Sequence, residues 1–97
     1  MHKLIVDNLT QIKDICKKYH ISYLGLFGSY ARGDQTEESD IDFAADFPPK
    51  TSLLKLVRIQ RELEALLHKK IDLVARGAIK ENRKKYILPE LKKIYSS

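Results

Sequence analysis

Residues 28–43 read GSYARGDQTEESDIDF: a Gly-Ser pair closes one apolar run, and two aspartates one residue apart sit inside the next. Carboxylates in an apolar segment are costly to bury unless something compensates their charge. In a strand, residues i and i+2 share a face, so Asp40 and Asp42 point one way while Ile41 and Phe43 point the other. The segment KIDLVA at 70–75 repeats the pattern, with Asp72 opposed to Ile71 and Leu73. If these strands are neighbours with matching faces, three carboxylates converge on one spot. A divalent cation would relieve their repulsion, and oxygen-only donors suit Mg²⁺ or Mn²⁺. Two such ions about 3.5–4 Å apart can activate an attacking oxygen and stabilise a leaving one in phosphoryl transfer. A lone Asp-x-Asp has a plainer reading, as solvent-facing residues of an edge strand.

The Gly28-Ser29 pair shifts that balance towards chemistry. Gly28 lets the backbone approach a ligand closely, Ser29 offers a hydroxyl donor, and the N–H groups opening the next short helix point towards an anion. Arg32, one turn on, either reaches phosphate or buttresses the acidic loop. Gly-Ser turns are common; followed by SDID on one strand and IDLV on another, this one becomes specific.

These residues need a scaffold, and the sequence supplies one. Ile5, Leu9, Ile12, Cys16 and Tyr19 recur at helical spacing, so an amphipathic helix is expected over about 3–19. Residues 22–27 read as a strand ended by Gly28, and a second strand is expected at about 40–46. Pro48-Pro49 ends it, and Thr51 or Ser52 caps a helix running to about Lys69 with Leu53, Leu56, Ile59 or Gln60, Leu63, Leu66 and Leu67 on its apolar face. A third strand follows at 70–75. The tail from Ile79 to Tyr95 reads as helical, divided by Pro89. The expected fold is α/β (α+β): a small mixed sheet with a three-strand core and helices packed against it.

The chain has 97 residues, 43% of them hydrophobic and 32% charged, which suits one packed domain over 1–97 and leaves no length for a second. No apolar run approaches the roughly 20 residues of a membrane helix, and the N-terminus MHKLIVDN lacks a signal-peptide pattern. A single cysteine, Cys16, excludes an internal disulfide and suits a reducing compartment, so a cytoplasmic protein is expected. Net charge is +5, yet six of the thirteen acids (Asp34, Glu37, Glu38, Asp40, Asp42 and Asp46) fall in one stretch without lysine or arginine, leaving +11 on the rest. Charge alone fits either a cation site on an anion-attracting body or an acidic loop on a lysine-rich surface. His2, His20 and His68 match no zinc spacing.

Gly28-Ser29, ten intervening residues, then Asp40-Ile41-Asp42 resembles the signature of the DNA polymerase β-type nucleotidyltransferase superfamily. The fuller GSYARG…SDIDF, with a later IDLV and a chain this short, is similar to its minimal nucleotidyltransferase branch. The resemblance implies a nucleotidyltransferase fold in which Asp40, Asp42 and Asp72 hold two Mg²⁺ ions under a nucleoside triphosphate, with Asp72 also placed to take the acceptor's proton. It implies that Gly28 and Ser29 grip the β- and γ-phosphates, with Arg32 a further nucleotide-binding candidate. Tyr30 stands where arginine is frequent in relatives, and Ala44 and Ala45 replace bulkier aliphatics.

The function that follows is transfer of AMP from ATP to a hydroxyl, with release of pyrophosphate. All the expected elements are used in building the sheet, so the acceptor arrives on another molecule, plausibly a folded protein. Minimal nucleotidyltransferases act as antitoxins beside a HEPN-domain ribonuclease toxin, and some modify a toxin tyrosine; that partner and acceptor are the expectation here. A non-catalytic module that neutralises its partner by steric cover is the alternative. Nucleic-acid binding through the basic tail ranks last, since the binding face would share a small body with a six-acid stretch.

Overall fold

A computed structural model describes all 97 residues. Two short helices, α1 (Lys3–Asp7) and α2 (Leu9–Lys18), lead into strand β1 (Tyr23–Phe27), a single helical turn α3 (Ser29–Arg32) and strand β2 (Ile41–Asp46). The long helix α4 (Leu53–Leu67), strand β3 (Ile71–Ala75), helix α5 (Glu81–Ile87) and strand β4 (Lys92–Ser96) complete the chain, with 3₁₀ turns at Arg76–Ala78 and Leu88–Glu90. The four strands form one mixed sheet in the order β3-β2-β1-β4: β1 is antiparallel to both β2 and β4, and β2 runs parallel to β3.

Alternation along the strands divides the sheet into two unequal faces. Leu24 and Leu26 of β1, Ile41, Phe43 and Ala45 of β2, Ile71 of β3 and Ile94 of β4 join Ile12 and Cys16 of α2 and Ile59, Leu63 and Leu67 of α4 in the main core. Burial pushes the Cys16 thiol up to about 11, as expected of a small hydrophobe rather than a reactive thiol. On the other face Phe27 and Ala44 meet Ile79 and Ile87, with Val74 and Leu91 alongside. This thinner cover leaves one end of that face open, and there the carboxylates emerge.

Two features pin β3, and with it Asp72. From α4, Gln60 Nε2 donates to the carbonyl of Ile71 (2.9 Å), while Glu64 Oε2 accepts from its N–H (3.1 Å). Those edge groups would otherwise lack partners. Beyond the strand's end, Arg76 forks onto the Asp46 carboxylate and lies 3.8 Å over the Tyr23 ring, tying the ends of β3, β2 and β1 together. Ile59, not Gln60, faces the core, so the hydrogen bond to β3 accounts for the polar residue on that helix.

The structure corrects three expectations. The N-terminal stripe is two helices, because Asn8 leaves helical geometry (φ −111°, ψ 14°) and turns its amide onto the Leu4 carbonyl. Leu53, assigned to the apolar face of α4, is 76% exposed in its first turn, beside Leu54. The third concerns the tail beyond Pro89, which is not helical: Lys92–Ser96 is a fourth strand on the free edge of β1. Leu91, Ile94 and Tyr95 satisfy helical spacing, but β1 lacks a second partner without them, and pairing along a central strand outweighs a five-residue periodicity. Because Ile94 is 6% exposed while Lys93 is exposed, Ile94→Ala should cost about 2–4 kcal/mol in urea denaturation and Lys93→Ala almost nothing.

Candidate active site

Asp42 and Asp72 are register partners across the parallel β2–β3 pair, so their side chains leave the same face side by side. Asp40 precedes β2, and its charge also bears on Asp42. Burial first, then the Asp72 and Asp40 charges, push the Asp42 carboxyl up to about 6, with Arg32 offsetting a little. Asp42 is half-buried and Asp72 exposed. The structure therefore sets Asp42 beside Asp72 at the open end of the thinly covered face, with the Asp40 charge felt from the residue before the strand.

Phe27 pairs with Asp42 across β1 and β2, which carries the Gly28-Ser29 turn directly to the same place. Gly28 has φ +75°, a conformation that L side chains avoid, and a Cβ there would overlap Asp42 Oδ2. The turn is glycine for both reasons. A cavity of about 370 Å³ opens above it, lined by Gly28, Ser29, Arg32 and Asp42 from the motif and by Arg83, Tyr86 and Glu90 from the tail. An adjoining cavity of about 200 Å³ includes Asp72 and again Arg83. A groove of similar size on α4, lined by Leu54, Val57, Arg58 and Arg61, lies behind the main core, away from the carboxylates.

The donor set fits a hard divalent cation: all oxygen, crowded negative charge, and a carboxyl pushed towards its protonated form by burial and by its acidic neighbours. The carboxylates do not by themselves close a three-ligand cage.

These observations meet in one comparison. The nucleotidyltransferase domain family matches residues 9–94. The chain belongs to that family. Protein adenylyltransferase MntA of Thermococcus cleftensis is 38% identical over 79 residues, which cover 81% of this chain and 80% of that protein. Two solved structures share the fold. One is a toxin–antitoxin complex with AMP-PNP (TM-score 0.79, 22% identity, 93% of this chain and 74% of that one). The other is an MNT antitoxin in complex with the tri-AMPylated HEPN toxin of Shewanella oneidensis (TM-score 0.72, 18% identity, 95% and 72%).

Within this nucleotidyltransferase domain, Arg32 makes the contacts of a buttress and also lines the cavity over the Gly28-Ser29 turn. Its Nε donates to Asp34 Oδ2 (3.2 Å) and its Nη1 to Glu90 Oε2 (3.0 Å), so it straps the acidic loop to the tail. Tyr30 is buried and meets the His2 ring edge-on at 4.9 Å, so its place in the motif is a core position. Sequence reasoning missed Glu90, whose Oε1 also accepts from the Gly28 N–H (3.3 Å). A carboxylate thus already sits on the turn assigned to phosphate. Nothing local in the sequence signals a contact spanning 62 positions. Arg83 and Tyr86 belong to the basic tail, where their i, i+3 spacing puts them on one helix face.

Proposed function

We propose that this chain transfers the adenylyl group of ATP to a side-chain hydroxyl, a tyrosine in our reading, of a partner protein, and that the partner is a HEPN-type ribonuclease toxin which the transfer neutralises. The carrying observation is the register of Asp42 beside Asp72, next to the Gly28-Ser29 turn. The adenylyltransferase name of the Thermococcus relative and the fold shared with the toxin–antitoxin complexes support the choice of reaction and partner. We further read residues 1–97 as one catalytic domain working in the cytoplasm. No helix is long and apolar enough to cross a membrane.

Asp40, Asp42 and Asp72 would hold Mg²⁺, two ions in our reading, with Mn²⁺ able to replace it. When bound, the metal supplies positive charge against the triphosphate and the developing negative charge at the α-phosphorus. Gly28 and Ser29 would hold the β- and γ-phosphates through backbone N–H and hydroxyl donors. The acceptor oxygen forms the new bond to the α-phosphorus as the bond to the α,β-bridging oxygen breaks and pyrophosphate departs. The acceptor's proton passes to the Asp72 carboxylate, which is exposed and so reachable by a protein-borne hydroxyl.

Incubation with α-³²P-labelled ATP, Mg²⁺ and the protein encoded beside it should label that partner, and Asp40→Asn should abolish the label. Undiminished labelling by the variant would remove Asp40 from the site. A variant that no longer labels yet still rescues cells from the toxin would instead favour neutralisation by steric cover. Glu90 competes for the same donors as the phosphates, so Glu90→Gln should tighten Mg²⁺-tripolyphosphate binding roughly two- to fivefold in calorimetry.

A further inference from the structure

Two side chains of α5 stand over the site without a structural task. Arg83 lines both the cavity that holds Gly28, Ser29 and Asp42 and the adjoining one that holds Asp72, so it spans the interval between them. The two nearby arginines are engaged, Arg32 with Asp34 and Glu90 and Arg76 with Asp46, while Lys80 lines the Asp72 cavity beside Arg83. The Arg83 side chain makes no hydrogen bond or ion pair, leaving its planar donors for a ligand. Tyr86, one helical turn on, is 65% exposed, while the next residue, Ile87, is buried against Phe27 and Ala44. The helix thus anchors itself with the isoleucine and presents the tyrosine along the cavity wall. The Lys85 ammonium lies 5.2 Å from that ring's centroid, adding a second positive charge beside it. A cavity of about 370 Å³ falls in the size range of small-ligand sites.

We propose that α5 forms the nucleoside side of the binding site, with Arg83 contacting the polyphosphate and Tyr86 stacking on the base. This rests on reading the site as one for a nucleoside triphosphate. An aromatic ring stacks on any base, and an arginine fork suits phosphate oxygens. Such a wall favours a nucleotide over bare polyphosphate and leaves discrimination among bases weak.

Calorimetric titrations with Mg²⁺ and two ligands separate the roles: α,β-methylene-ATP, which has a base and is not turned over, and tripolyphosphate, which has none. Tyr86→Ala should weaken the nucleotide analogue by at least roughly fivefold and leave tripolyphosphate within twofold. Tyr86→Phe should bind the analogue like the parent chain. Arg83→Gln should weaken both ligands by roughly tenfold. Both positions are exposed, so melting temperatures should hold. Unchanged analogue binding by Tyr86→Ala, or unchanged tripolyphosphate binding by Arg83→Gln, would overturn the proposal while leaving the nucleotide site standing. A parent chain that binds neither ligand would overturn both.

Discussion

Asp42→Asn is expected to lower adenylyl transfer on the order of a thousandfold and, in the absence of metal, to raise the melting temperature. Both effects have one origin. The Asp42 carboxyl is held near 6 by burial and by the Asp72 and Asp40 charges, so the folded chain resists the ionised form that a metal ligand needs. The sign follows from linkage: with the folded value above the unfolded one, the chain loses stability as pH rises from about 4 to about 6 and stays penalised above that. Unscreened, that shift corresponds to at most about 3 kcal/mol; for a half-exposed group, solvent screening reduces it to roughly 1–2 kcal/mol. The stability gap between variant and parent should therefore vanish below pH 4, open between 4 and 6, and plateau. Adding Mg²⁺ should narrow it by stabilising the parent alone. Urea titrations across pH, with and without Mg²⁺, measure this directly, and a gap independent of both would dismiss the explanation.

Gly28→Ala is the second large effect. The residue sits at φ +75°, and the added methyl overlaps Asp42 Oδ2 and comes 3.1 Å from its Cγ. Backbone strain alone costs on the order of 1–3 kcal/mol, and relief requires moving either the turn or the carboxylate. The atoms it meets all belong to the Asp42 side chain, so relief displaces that carboxylate from its place beside the turn. We expect a melting temperature lower by about 5–15 °C and Mg²⁺-nucleotide binding reduced beyond detection. Gly33→Ala is the internal control. Gly33 also has positive φ (+87°), but nothing lies within 4 Å of its added carbon, so it should carry the strain without the loss of binding.

What sequence alone could reveal tracks the range of the interactions involved. The alternation in SDIDF and KIDLVA fixes which side chains share a face, and the requirement to bury Ile41, Phe43 and Ile71 dictates the matching register that places Asp42 beside Asp72. Short-range signals failed where tertiary pairing decides. The run from Leu91 to Tyr95 fits either period, and the demand of β1 for a second neighbour settles it. Asn8 carries a helix-compatible stripe on both sides, so the break lay in its amide, not in hydrophobicity. Glu90 on Gly28, and Arg83 near Asp72, require knowing that the tail folds back across the sheet.

The position of β3 has one further consequence. Being outermost in the sheet, it sets Asp72 at the exposed mouth of the small cavity it lines. In the proposed reaction, a proton acceptor so placed can be met by a residue on a broad convex body. Choice of target must then come from how the two bodies seat against each other at a distance, so a change of client would be written on the outer skin and could leave the chemistry untouched.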